Sequence, residues 1–173
     1  DAEAPVADAA VSATAGAACV VLVADCLPVL LCDDSGRAVA AAHAGWRGLA
    51  AGVLAHSVTT LCDAAGCDPR EVQAWLGPCI GPRQFEVGVD VLQAFGVDPE
   101  GPPSRHFVRR DRPDGDRRWL ADLPALARAR LSQAGVSRIG GGRWCTVEDA
   151  SAFFSFRRDG AVGRMAAAIA IVD

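Results

Sequence analysis

The sequence contains no lysine, no asparagine and no tyrosine, so all 17 of its basic residues are arginine. That skew, with its abundance of alanine, glycine and valine, reflects GC-rich coding rather than a function. Positive charge is also scarce: 17 basic against 21 acidic residues leave a net charge of -4 and a pI near 5.3. Without a basic field to hold a phosphate backbone or an acidic membrane, nucleic acid is excluded as a partner. No apolar run approaches the roughly 20 residues of a membrane span. The opening "DAEAPVADAAV" carries acid where a signal peptide carries positive charge. The expectation is a soluble, cytoplasmic protein with no membrane contact.

Cysteine, by contrast, is plentiful. Seven cysteines cannot all pair within one chain, and a chain that is 51% hydrophobic over 173 residues can bury a core without staples. Reduced thiols are expected, and the plain reading of any one of them is a small buried hydrophobe. Length favours a single domain over residues 1–173.

Residues 18–23 ("ACVVLV"), 28–32 ("PVLLC") and 37–43 ("RAVAAAH") read as buried strands, with "DDSG" as a hairpin turn. Leu49, Val53, Val58, Leu61 and Ala65 keep a helical spacing over 47–65, closed by Gly66. "VQAWLG" reads as a strand and 86–95 as a short helix. Residues 98–118, with four prolines and six arginines, read as a solvated loop able to order over a ligand. Asp122 is placed to cap a helix carrying Leu123, Leu126 and Leu131, with Pro124 in its first turn. Three strand-like runs follow: residues 143–147, "SAFFSFR" and "RMAAAIAIV". Strands outnumber helices without regular alternation, which predicts an α+β fold with mixed β-sheets.

Cys26 and His43 each end one of these apolar runs. Adjacent strand ends bring a thiol and an imidazole to one sheet edge, and three readings stay open: metal ligands, a nucleophile with its base, or packing. As ligands, sulfur and imidazole nitrogen suit zinc, with copper the alternative. In "HAGWRG", Gly45 and Gly48 free the backbone where a strand enters a helix, so that amides and the Arg47 guanidinium can hold an anion. The alternative is a tight turn with Trp46 packed and Arg47 in solvent. The spacing lacks G-x-G-x-x-G, so no dinucleotide site is read.

"ADCLPVLL", "AAHAGWRGLAAGV", "GPCIGPRQFEVG" and "CTVEDASAFFSFRRDGAVGR", in that order, resemble the family formerly described as multicopper polyphenol oxidases, or laccase-domain proteins. Its members are described as purine nucleoside phosphorylases with adenosine deaminase and methylthioadenosine phosphorylase activity. The resemblance covers nearly the whole chain. It implies a four-layer αββα sandwich of mixed sheets with flanking helices, and a zinc held by two histidines and a cysteine. Cys26 and His43 stand where that motif has two of its ligands. The third, a histidine in an upstream "Q-x-H-G" segment, has no counterpart here, and the sequence does not begin with methionine. The expectation is a domain lacking its N-terminal segment, which in this form binds metal weakly or not at all. Phe85, Ala127 and Phe156 stand where the family usually has tyrosine, asparagine and tyrosine.

The resemblance implies purine nucleoside and phosphate as substrates. Arg47 is then the first candidate for the phosphate, Arg157 or Arg158 the second. Asp25 is a candidate to orient a ligand or shuttle a proton, with a turn residue bonded to backbone as its other reading. A metal-independent thiol hydrolase or deamidase uses Cys26 as nucleophile and His43 as base. A copper oxidase needs more imidazoles than three histidines supply, with His56 in a helix and His106 in the arginine-rich loop. A non-catalytic remnant of the family is the remaining alternative. Cys19, Cys32, Cys62 and Cys145 read as packing, Cys79 in "GPCIGP" lies in a motif loop able to line the pocket with no chemistry assigned to it, and Cys62 with Cys67 lacks the second pair that a zinc knuckle needs.

Overall fold

A computed structural model describes residues 6–160 and 163–172. Strand β3 (Leu27–Asp33) is the centre of a five-stranded sheet. It runs antiparallel to β4 (Val39–Ala44) on one side and to β5 (Val72–Leu76) on the other. The edges are β1 (Ala9–Ser12), antiparallel to β4, and β9 (Arg138–Gly141), parallel to β5. The period of two in side-chain direction divides the sheet's contacts. Leu27, Val29, Leu31, Ala40, Ala42 and Ala44 pack into the main core, while Leu30, Cys32, Val39 and Ala41 pack on the other face. The alanines of β4 leave little side-chain bulk, so layers approach closely on both sides.

Helix α2 (Val53–Ala65) covers the first face through Leu54, Val58, Leu61 and Ala65, together with α4 (Leu123–Gln133). Against the second face lies an antiparallel ribbon of β2 (Ala18–Val23) and β10 (Met165–Ala170). Cys19 and Val21 point inward from the ribbon, whereas Val20 and Leu22 are 49% and 62% exposed. The fold is therefore α+β with mixed sheets, as expected, and the described residues supply helix, sheet and ribbon layers in that order. None of their helices is long and apolar enough to cross a membrane.

Several sequence expectations need correction. The expected helix over 47–65 is two helices, α1 (Trp46–Ala50) and α2, because Gly52 takes a φ of 94° that breaks the hydrogen-bond ladder. The expected helix over 86–95 begins as β6 (Glu86–Val87) and becomes α3 (Val89–Ala94) only after Gly88. The 98–118 segment is not a plain loop. It contains β7 (Phe107–Arg109), which pairs with β8 (Trp119–Ala121), and β8 pairs in turn with β6. Four of its six arginines are paired with acidic neighbours: Arg109 with Asp111, Arg112 with Glu86, Arg117 with Glu100 and Arg118 with Asp116.

The strand expected over 143–147 lies earlier, at β9, because Gly141 and Gly142, with φ of 74° and 69°, turn the chain out of the sheet. "SAFFSFR" is not a strand. It ends in the short helix α5 (Phe156–Asp159), where the Ser155 side chain accepts the amide of Arg158. Two of its three phenylalanines, Phe154 and Phe156, are 50% and 56% exposed. The α4 cap is as read: the Asp122 carboxylate accepts the amide of Ala125.

Candidate active site

The β2 to β3 connection is three residues long, and its middle residue, Asp25, has a φ of 84°. Left-handed backbone at a non-glycine residue costs roughly 1–2 kcal/mol and needs compensation. Here the compensation is visible. The Asp25 carbonyl accepts the amide of Ile80 at 2.9 Å. Its carboxylate accepts the Thr146 hydroxyl and, at 2.7 Å, the amide of Arg157. Asp25 is buried, and it ties together the turn after β5, the 145–147 segment and the start of α5.

The tight turn presents Cys26 at the head of β3, next to the end of β4, where Pro28 pairs with His43. The two side chains converge. A Cβ built on Gly45 would lie 3.0 Å from the Cys26 Sγ, 3.5 Å from the His43 Cε1 and 3.7 Å from its Nε2. A side chain at 45 would therefore press on the Cys26 sulfur. Thiol and ring are neighbours beside Gly45, while His43 Nδ1 sits 3.1 Å from the Asp8 Oδ1. The Asp8 carbonyl also accepts the His43 amide at 2.7 Å, so Asp8 fixes both backbone and ring. The neighbouring Cys26 thiol is the largest influence on the His43 pKa, which rises to about 9; burial opposes it and Asp8 assists.

Cys26 and His43 open on a cleft of about 520 Å³ whose wall includes Arg47, Phe85, Arg157 and Arg164. The Arg47 guanidinium lies 4.4 Å from the centre of the Trp46 ring, which fixes a long side chain against an aromatic face. Helix α1 is only five residues long, so the positive charge that "HAGWRG" brings to the cleft is the Arg47 guanidinium rather than a helix terminus. Arg157 donates to the Glu86 carbonyl at 3.1 Å and lies 5.7 Å from the centre of Phe85. Arg158 turns away. It donates to the carbonyls of Thr146, Val147 and Phe153 and pairs with Asp159, so of these two candidates only Arg157 lines the cleft.

Sequence reading missed Asp8, Arg164 and the cleft-facing role of Phe156. Only the strand pairing reveals Asp8, which precedes β1 at the edge of the sheet. Phe85 and Phe156 both border the cleft without the hydroxyl of a tyrosine, whereas Ala127 is fully buried in α4 and does not reach it. A wider hollow of about 620 Å³ beside Arg105, His106 and Arg128 is separate; there Arg128 is committed to the carbonyls of Ile139 and Gly141.

Cys26 and His43 fit two positions of a zinc centre. Their donors meet at one point, the set is sulfur plus nitrogen, and the second ring nitrogen is held by a carboxylate, as in metal-ligating histidines. Among the described residues no group of three or more His, Cys, Asp or Glu side chains is arranged to hold a metal. His56 is bonded to the Gly52 carbonyl and His106 to Arg105, so neither joins the pair, and the described residues do not assemble the imidazoles of a multicopper cluster.

The fold and cleft define an α+β domain with a thiol–imidazole pair beside a set of arginines. The family model for multi-copper polyphenol oxidoreductase laccases matches residues 1–172, and the chain belongs to that family. It is 50% identical over 167 residues to purine nucleoside phosphorylase YfiH of Escherichia coli, covering 96% of this chain and 64% of the relative. It is 48% identical over 167 residues to purine nucleoside phosphorylase PA4543 of Pseudomonas aeruginosa, covering 96% and 66%. Neisseria meningitidis protein NMB0706 superposes with a TM-score of 0.85 at 48% identity, over 96% of this chain and 65% of that one. YlmD from Geobacillus stearothermophilus does so at 0.82 and 32%, over 96% and 61%. The chain thus spans under two thirds of the E. coli relative's length.

Proposed function

We propose that this chain is one domain, residues 1–173, of a zinc-dependent purine nucleoside enzyme of the cytoplasm. In this reading it phosphorolyses adenosine, inosine and methylthioadenosine and deaminates adenosine. The observation that carries the reading is the convergence of Cys26 and His43 on a cleft shared with Arg47 and Arg157; the names of the relatives support it.

In phosphorolysis the bond between C1′ and the purine nitrogen breaks, a phosphate oxygen bonds to C1′, and the departing purine takes up a proton. Arg47, held against Trp46, binds the phosphate, and Arg157 contributes a second positive group as charge develops at the sugar. Phe85 and Phe156 give the base an apolar wall. Asp25 acts as a positioning residue: its oxygens are taken up by Thr146 and Arg157, so it holds Cys26 and α5 in register. Cys26 and His43 would hold the zinc, with a third ligand from outside the described residues and copper as the alternative metal. Zinc there would supply Lewis-acid polarisation of an oxygen atom.

The test is turnover of inosine and adenosine with phosphate, and of adenosine without it, by the zinc-loaded protein at its natural length, with base and nucleoside separated by chromatography. Cys26→Ala and Arg47→Gln are each expected to lose at least about 100-fold. No release of purine or inosine, or an unchanged rate in Cys26→Ala, refutes the proposal.

One observation favours a second reading. Asp8, His43 and Cys26 stand in line, so they also form an orienting acid, base and nucleophile for a metal-independent thiol hydrolase or deamidase. Alkylation of Cys26 that zinc blocks supports the first reading, and alkylation indifferent to zinc the second.

A further inference from the structure

Cys62 and Cys67 are not among the cleft-lining residues and close the C-terminal end of α2. The helix stops at Gly66, whose φ is 64°, and the Gly66 amide donates to the Cys62 carbonyl. The Cys67 amide donates to the same carbonyl at 3.1 Å. In this Schellman closure the residue after the left-handed glycine folds back over the last turn, and the two side chains at the ends of the long hydrogen bond commonly meet as an apolar pair. Here both are cysteine. The 3.1 Å bond from the Cys67 amide to the Cys62 carbonyl, with standard bond lengths, limits the Cα–Cα separation to about 7 Å, at the outer edge of the range that a disulfide spans. Cys62 is buried against the core, whereas Cys67 is partly exposed, so an oxidant in solution reaches one sulfur and finds the other behind it.

We propose that Cys62 and Cys67 form a reversible disulfide, made by hydrogen peroxide and undone by thiols, that staples the last turn of α2. The Cys67 thiolate attacks one peroxide oxygen, the O–O bond breaks, and the departing hydroxide is protonated to water; the sulfur is oxidised to a sulfenic acid. The Cys62 sulfur attacks that sulfenic sulfur and forms the S–S bond, while its proton and the sulfenic hydroxyl leave as a second water. Two thiols and one peroxide thus give one disulfide and two waters. Cys62 is the resolving partner. Burial, followed by the neighbouring Cys67 sulfur, pushes its pKa up to about 12, with Asp68 and Asp63 adding to the rise, so it is not the thiolate that begins the reaction.

Peptide mapping tests this directly. Trypsin releases residues 48–70 as one peptide whose only cysteines are Cys62 and Cys67. The reduced chain is treated with peroxide until Cys26, located by fragmentation within the tryptic peptide ending at Arg37 that also carries Cys19 and Cys32, has lost half its reactivity toward iodoacetamide, and is then alkylated and digested. The 48–70 peptide is expected two hydrogens lighter and unalkylated, and to accept two alkyl groups after dithiothreitol. If it still takes two alkyl groups before reduction, gains oxygen atoms, or is found joined to another peptide, the proposal is overturned. In Cys67→Ser, Cys62 should stay fully alkylatable at the same peroxide dose; its equal oxidation there overturns the assigned order of attack.

Discussion

Replacing Asp25 separates two roles that the sequence left open, proton shuttle or backbone anchor. Asp25→Ala removes the acceptor for a buried Thr146 hydroxyl and for the Arg157 amide. Hydrogen bonds to a charged group are worth about 1.5–3 kcal/mol each, and a buried donor left unpaired costs in that range. Alanine also keeps a side chain in left-handed backbone without the local polar bonding that makes aspartate tolerable there, for about 1 kcal/mol more. The expected loss is about 4 kcal/mol or more, a large part of the 5–15 kcal/mol that stabilises a typical domain. Asp25→Gly forfeits the same hydrogen bonds but has no Cβ to strain, so it should fall about 1 kcal/mol short of the alanine loss. Asp25→Asn retains one oxygen and tolerates the backbone, and should lose about 1–3 kcal/mol. Urea unfolding midpoints give this order: wild type, Asn, Gly, Ala. A glycine variant less stable than alanine, or an alanine loss under about 1 kcal/mol, would show that neither strain nor anchoring operates at residue 25.

Four further outcomes follow from the same geometry. In the metal-free chain the folded His43 pKa of about 9 exceeds its ordinary 6.5, so its stabilising contribution is complete below pH 6.5 and is lost as pH rises through about 9. Ring-proton NMR should place that titration near 9 and see it fall toward 6.5 in Cys26→Ser; an unmoved midpoint rules out the thiol contact. Gly45→Ala should displace the Cys26 sulfur, because its Cβ would sit 3.0 Å away, and the rate of Cys26 alkylation should change while the unfolding midpoint changes little. Asp8→Ala frees the His43 ring and should lower zinc affinity about 10- to 100-fold, measured by competition with a chelating dye, whereas Asp8→Asn should retain most of it. Gly141→Ala puts a Cβ 2.1 Å from the Leu76 carbonyl oxygen at a φ of 74°, and should cost about 3 kcal/mol or more; an unaltered circular-dichroism melt contradicts the pairing of Leu76 with Gly141.

The centre of the main sheet, β3 and β4, and strand β2 of the ribbon were legible because they are dense in Val, Leu and Ala between recognisable turns; β3 and β4 are mostly buried as the pattern implies, whereas β2 is buried on one face only. "SAFFSFR" failed for a definite reason. Its aromatic residues suit a strand, but Asp25 claims the amide of Arg157 and Ser155 that of Arg158, and two side-chain acceptors in succession start a helical turn instead of a ladder. The helix break at Gly52 and the exit of the chain at Gly141 were also decided by left-handed glycines, whose sequence signal is no different from that of glycines in ordinary turns.

The candidate site divides along the same line. Cys26 and His43 could be read as neighbours because one hairpin joins them, and a hairpin's register follows from its turn and its apolar pattern. Asp8 could not. It reaches the ring only because β1 lies along β4 with Ala9 opposite Ala42, and that edge strand, "AAVS", carries too few β-branched or aromatic residues to declare itself. Its place comes from the sheet's demand for a partner on the free edge of β4. The chemistry of His43 is therefore set partly by a carboxylate 35 positions away in sequence, delivered by backbone pairing rather than by any motif.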